Sequence, residues 1–125
     1  MYSTKLMNEF LEPKNYGVIK GASGVGKVVS DIGSEIVKIY IKVENETIVD
    51  CQFQTFGGVV AIALTSFATE LLLGKTIKNA RKIDMKDLSA KAGEIPEDKR
   101  YLLSVVTSAI YKALDNYENK SAVED

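Results

Sequence analysis

From Ile36 to Val43 the chain alternates as IVKIYIKV, placing Val37, Ile39, Ile41 and Val43 on one face and Ile36, Lys38, Tyr40 and Lys42 on the other. A period of two is that of a half-buried strand. Glu44-Asn45-Glu46 supplies a turn, and Thr47 to Thr55 reads as a second strand in which Ile48, Asp50, Gln52 and Gln54 oppose Val49, Cys51 and Phe53. Two such runs joined by a short polar turn predict an antiparallel hairpin. After Gly57-Gly58 the period turns helical. The apolar run from Val59 to Leu73 is broken by Thr65, Ser66, Thr69 and Glu70 and falls short of the ~20 residues a membrane span needs. It predicts a buried helix, with Gly74 as its stop.

The flanks are punctuated by caps and breakers. Ser3 caps a short helix through Leu11, with Leu6, Met7 and Phe10 as its apolar stripe, and Pro13 ends it. Lys14 to Gly26 reads as loop passing into an edge strand around Lys27 to Ser30. Thr76 caps a short helix near Ile77 to Arg81, and Asp84 caps another that Gly93 ends. Pro96 suits a first helical position, and Glu97 and Asp98 favour the positive end of the helix dipole. A long helix to about Tyr117 follows, with the stripe Leu102, Val105, Val106, Ala109, Ile110, Ala113, Leu114 and Tyr117. The tail from about residue 119 is expected to fray. No repeat or linker interrupts this order. The expectation is one α+β domain over residues 1–125, with helices packed on one face of a small, about three-stranded antiparallel sheet.

Composition narrows the chemistry. A chain of 125 residues, 46% hydrophobic and 26% charged, can bury a core without staples. A net charge of -1 gives no basic footprint for nucleic acid. One cysteine, Cys51, and no histidine exclude an intramolecular disulfide and a zinc site of the usual Cys/His spacing. The absence of histidine also removes the commonest acid-base side chain near neutral pH. The opening MYSTKLMNEF lacks a signal-peptide apolar core, which makes the cytoplasm the expected location.

The stretch GASGVGKVVS, Gly21 to Ser30, has the outline of a phosphate-binding loop, because Gly21, Gly26 and Lys27 fit the pattern. Val28 stands where the magnesium-binding hydroxyl belongs. The context is wrong as well, since no buried strand precedes the stretch and Val28, Val29 and Gly33 are poor helix formers. The glycines are read instead as strand-entry loop residues, used for their backbone freedom.

Five segments in one order carry a resemblance: FLEPKNYG (Phe10 to Gly17), Gly24-Val25-Gly26, KIYIKV (Lys38 to Val43), FQTFG (Phe53 to Gly57) with AIA and ATELLLGKT after it, and IPEDKR (Ile95 to Arg100). Together they resemble the U-type iron-sulfur cluster assembly scaffolds, the IscU and NifU N-terminal domain family, over nearly the whole chain. The resemblance implies a nascent cluster held by three cysteines and a nearby aspartate, often with a histidine beside the third cysteine. Gly33-Ser34-Glu35 stands at the first of these sites, Gly57-Gly58-Val59-Val60 at the second and Tyr101-Leu102-Leu103 at the third. The former ligand positions are therefore Gly33, Glu35, Gly58, Tyr101 and Leu102. Such clusters are held by thiolates, and only Glu35 keeps a donor of the family's kind. Cys51 falls at a mid-strand position facing the predicted core and does not replace them. No metal or cofactor is expected.

What the resemblance then implies is a scaffold-like protein of iron-sulfur cluster assembly that has lost its ligands. It would act as a non-catalytic interaction or regulatory module on a cysteine desulfurase or a cysteine-bearing scaffold. The expected contacts are the N-terminal helix, the 57–60 loop and the segment of Ile95, Pro96 and Lys99, where Glu97 replaces the family's second proline. The alternative from the residues themselves is a small-ligand or anion binder using Gly57-Gly58 at a helix N-terminus. The phosphate-loop reading at 21–27 is weaker.

Overall fold

Strand β2 (Ile36–Glu44) lies between β1 (Gly24–Val29) and β3 (Thr47–Phe56) in an antiparallel sheet of order β1-β2-β3. In this computed structural model residues 2–124 are described, with side chains through Lys120. The β2–β3 turn places Asn45 and Glu46 at φ 51° and 60°, the two left-handed residues that match a tight hairpin to the strand twist. Lys42 pairs with Asp50 but Val43 with Ile48, so Val49 is the extra residue of a bulge. This corrects the alternation read from sequence: beyond the bulge Ile48 turns into the core and Val49 out to solvent. The Asp50 carboxylate accepts the Cys51 N–H at 2.8 Å beside the disrupted ladder.

The segment before β1 is more than loop. Phe53 N–H donates to Asn15 O and Gly17 N–H to Phe53 O, both at 2.9 Å, so residues 15–17 cover the outer edge of β3. Strand β1 begins at Gly24 rather than near Lys27. A Cβ on Gly24 or Gly26 would collide with the carbonyl oxygens of Ala113 and Ala109 in the last helix. These glycines let helix backbone rest directly on strand backbone, which replaces the loop role expected of them. It also removes the phosphate-loop reading, because the segment that should open a helix is a strand paired to β2.

Helices α2 (Val59–Leu72) and α5 (Leu102–Glu124) cover the inner face of the sheet, α5 over β1 and β2 and α2 over β3. Helix α2 is buried nearly all round, and its two threonine hydroxyls are satisfied within the helix, Thr65 on Ala61 O and Thr69 on Ser66 O, each at 2.7 Å. The expected α5 stripe from Leu102 to Leu114 is buried. The helix continues to Glu124, beyond Tyr117 and through the tail expected to fray, and Asp125 lies outside the described residues. Pro96 precedes a separate 3-10 turn, Glu97–Lys99, rather than opening α5 itself.

Helices α3 (Ile77–Ala80) and α4 (Met85–Ala92) are capped by Thr76 and Asp84 as read, the latter in a reciprocal box with Asp87. Helix α1 (Thr4–Leu11) is capped by Ser3 and docks on α2 through buried Leu6 and Glu9, with Met7 and Phe10 half-buried. The Glu9 carboxylate accepts the Ser66 hydroxyl at 2.7 Å and meets Lys14 at 3.8 Å, which makes a carboxylate tolerable inside that contact. No described helix is long and apolar enough to cross a membrane.

Candidate functional site

Three connections meet at one end of the sheet: the β1–β2 loop, the β3–α2 junction and the entry to α5. In the first, Ser30 Oγ accepts the N–H groups of Ile32 and Gly33 at 3.2 and 3.3 Å, and Ser30 N–H donates to Glu35 O at 2.8 Å. Ser34 turns the chain at φ 65°. This tight loop folds the Glu35 side chain inward, leaving the residue only 7% exposed.

Tyr101, sixty-six residues away, donates its hydroxyl to Glu35 Oε2 at 2.6 Å. A Cβ built on Gly33 would lie 2.5 and 2.6 Å from the two Glu35 carboxylate oxygens and against the Tyr101 hydroxyl. Thus the tyrosine-glutamate pair occupies the space a side chain at position 33 would need. Gly57 is also tight, because its Cβ would stand 3.0 Å from Glu35 Cγ. Gly58, the N-cap of α2, has nothing within 4 Å of its Cβ position. Glu35, Gly58, Val59, Lys99 and Leu102 border one cavity of about 50 Å³, with Tyr2 at its rim.

All five positions singled out by resemblance therefore meet in this corner: Gly33, Glu35 and Tyr101 in direct contact, and Glu35, Gly58 and Leu102 around the cavity. The second expected group divides. Lys99 joins the cavity and Pro96 is half-buried, but Ile95 packs in the core and is withdrawn as a contact residue. Sequence reasoning missed Ser30 and Tyr2, and the tyrosine-glutamate bond had no local signal, since it closes a loop of tertiary length.

The corner carries strong local electrostatics. Burial by itself would raise the Glu35 carboxyl, but the Tyr101 hydrogen bond, the polar influence of the Glu35 backbone N–H and the nearby Ser30 hydroxyl, and the Lys99 charge outweigh it and hold the group below the usual carboxylate range. The same bond, with some burial, pushes the Tyr101 phenol up to about 12. Glu35 Oε1 has no hydrogen-bond partner among the described residues. Cys51 lies elsewhere, opposite Ile41 in the sheet and fully buried, where loss of solvent and the Asp50 charge push its thiol far up.

The donor set is thus one carboxylate and one phenol, with neither thiolate nor imidazole. Among the described residues no three His, Cys, Asp or Glu side chains gather where they could hold a metal ion. Carboxylate and phenol are hard oxygen donors, poorly suited to iron bridged by sulfide.

The chain matches the NifU-like N terminal domain family over residues 1–124. It is 38% identical over 125 residues to an iron-sulfur cluster assembly scaffold protein IscU of Archaeoglobus fulgidus, covering 100% of this chain and 82% of that protein. Its identity to the iron-sulfur cluster assembly scaffold protein IscU of Aquifex aeolicus is 34% over 118 residues, 93% of this chain and 75% of that one. Among solved structures, a putative iron-sulfur cluster assembly scaffold protein for the SUF system from Fervidobacterium islandicum AW-1 superposes with a TM-score of 0.70 at 21% identity, covering 90% of this chain and 96% of the other. A nitrogen-fixing NifU-like protein (N-terminal) from Brucella abortus gives 0.63 at 17% identity, over 98% and 93%. Both share the three-stranded sheet and helix arrangement.

Proposed function

The chain belongs to the NifU-like N-terminal domain family of iron-sulfur cluster assembly scaffolds, and from that premise we propose that it is a non-catalytic interaction or regulatory module of cluster assembly that holds no cluster itself. One observation carries the reading. The three positions at which the resemblance puts thiolates are glycine, glycine and leucine, and the space beside the first is taken up by the Tyr101–Glu35 pair. A cluster is cargo in this system, and a corner without sulfur has no hold on it.

What the chain offers instead is surface. Ile32 on the β1–β2 loop and Phe56 at the end of β3 are large apolar side chains near the corner, 74% and 72% exposed. Exposed apolar groups of this size beside a former cargo site suit a protein partner. The partner proposed is a cysteine desulfurase or a cysteine-bearing scaffold, with this chain acting as adaptor or competitor.

Calorimetry against a purified cysteine desulfurase and a cysteine-bearing scaffold from the same organism tests the interaction. Saturable binding to one of them, weakened roughly tenfold or more (about 1.4 kcal/mol) by Ile32→Asp with Phe56→Asp, is expected. Failure to bind either partner overturns the proposal.

A further inference from the structure

The ladder between β1 and β2 sets two lysines side by side. Lys27 and Lys38 are direct partners in its register, and its phase leaves them without hydrogen bonds to each other, because Ser30 N–H donates to Glu35 O at 2.8 Å and the even-numbered residues of β1 therefore bond to β2. Antiparallel strands come closest at such pairs, with Cα atoms about 4.5 Å apart, and like charges there are destabilising. No acid relieves them. Among the described residues neither ammonium forms an ion pair, and Lys38 rests instead over the Tyr40 ring, 5.1 Å from its centroid. A single lysine on an edge strand is the ordinary guard against stray pairing, but Lys38 belongs to the central strand, where no guard is needed.

Around the two ammoniums the outer face of the sheet offers donors and apolar surface. Lys27, Lys38 and Gln54 border an open hollow of about 320 Å³ together with Tyr16, Ile36 and Phe56. The Gln54 carbonyl oxygen is taken by the Tyr40 hydroxyl at 2.8 Å, which leaves its amide N–H groups as the free donors. Val29, 56% exposed, is the partner of Ile36, which in turn faces Phe56, so an apolar row lies beside the lysine row. No carboxylate among the described residues lines the hollow.

The edge beside it is open. The same phase turns the N–H and C=O of Lys27 and Val29 away from β2, and among the described residues neither N–H has an acceptor. Val25 N–H points the same way but is closed off by Asn116 Oδ1 at 2.9 Å. Two unpaired residues on an exposed edge are a template for another strand. A strand that pairs there stands its alternate side chains on the outer face, next to Lys27 and Val29.

We propose that the β1 edge at Lys27 to Val29 docks an extended, acidic segment of a partner protein, which adds a fourth strand to the three-stranded sheet. Its carboxylate lies beside Lys27 and Lys38, and an apolar side chain two residues away lies beside Val29. Backbone hydrogen bonds give the hold, and the lysine pair gives the choice. A free anion would use the lysines but not the edge, whereas a basic strand would use the edge against the charge. The docking surface borders Phe56 but does not depend on what occupies the corner.

The probe is a blocked heptapeptide, Thr-Val-Thr-Glu-Thr-Val-Thr, which reads the same in both directions and so sets glutamate beside Lys27 and valine beside Val29 whichever way it runs. It is titrated into nitrogen-15-labelled full-length chain at low, constant ionic strength, next to the same peptide with lysine for glutamate and next to sodium acetate. The glutamate peptide is expected to give saturable amide shifts at Lys27 and Val29 and to slow hydrogen exchange at both, with a dissociation constant roughly tenfold or more below that of the lysine peptide. Lys27→Glu with Lys38→Glu should invert the preference. Should that variant fail to fold, Lys27→Gln at the exposed position takes its place and should lower the preference.

No saturable shift, equal binding of the two peptides, or a preference unmoved by these substitutions would overturn the proposal. Acetate binding as tightly as the peptide would mean a free-anion site, and shifts without slowed exchange would mean that the edge is not paired; either result overturns it as well. A peptide that fails while a cysteine desulfurase or scaffold binds would sink this edge and leave the proposed function standing, and the opposite pair of results would do the reverse.

Discussion

Replacing Tyr101 by Phe deletes the donor to Glu35 Oε2 while keeping the ring, and it isolates the bond that defines the corner. A hydrogen bond to a buried charged group contributes about 1.5–3 kcal/mol, and denaturant unfolding of Tyr101→Phe should show a loss of that order near neutral pH. The pH dependence has a definite sign. Glu35 is lowered in the fold, so its stabilisation is present above the unfolded value near 4.3 and disappears as pH falls through the lower folded value. Tyr101 is raised to about 12, so its share is present below its unfolded value near 10 and is lost as pH rises toward the folded one. The difference between native and Phe chains should therefore be widest from roughly pH 5 to pH 9 and shrink on both sides. A pH-independent difference would mean that the bond contributes through packing alone. At this scale the sequence was informative where motif order counted: Gly33, Glu35, Gly58, Tyr101 and Leu102 were placed by their neighbours along the chain. The pairing of Tyr101 with Glu35 was not legible, because nothing local ties residue 101 to residue 35.

Among the elements, the contact of β1 with α5 makes the clearest demand. Gly26→Ala should destabilise the fold by about 1–3 kcal/mol through overpacking, since the added Cβ meets the backbone of Ala109 and Ala113 rather than a side chain that can move. Stability equal to the native chain, measured by urea unfolding, would mean that α5 can lift from β1 at little cost. The same packing gives these glycines a purpose that excludes phosphate binding. Calorimetry with ATP and magnesium is expected to show no saturable heat at submillimolar nucleotide, and heat abolished by Lys27→Ala would contradict that assignment. Helix caps and the β2–β3 hairpin were readable because Ser3, Thr76, Asp84 and the Asn45-Glu46 turn act through their nearest neighbours. The bulge at Val49 was not readable. Alternation assigns faces by counting, and one extra residue that pairs with nothing reverses the count on its far side. The role of Gly24 and Gly26 was hidden for a related reason, as it depends on a helix nearly ninety residues later.

The whole molecule is a family fold, and on the proposed function its corner offers oxygen and carbon at the positions where the resemblance puts sulfur. Restoring sulfur should restore the hold on a cluster. The required set is Gly33→Cys, Ser34→Gly, Glu35→Asp, Gly58→Cys, Tyr101→His and Leu102→Cys. Glu35→Asp and Tyr101→His are needed because the native pair occupies the space of a side chain at 33, and Ser34→Gly relieves a residue at φ 65°. Loss of the buried Leu102 side chain should cost a few kcal/mol, about 2–5 if it were cut back fully. Gly58→Cys meets open space. The decisive measurement is anaerobic incubation of the native and rebuilt chains side by side with ferrous iron, sulfide and thiol, followed by visible absorption and iron and sulfide content after desalting. The native chain should emerge colourless and without iron, while the rebuilt chain gains absorption with iron and sulfide in stoichiometric amounts. Stable absorption with stoichiometric iron and sulfide on the native chain would contradict the claim that this fold has given up its cluster.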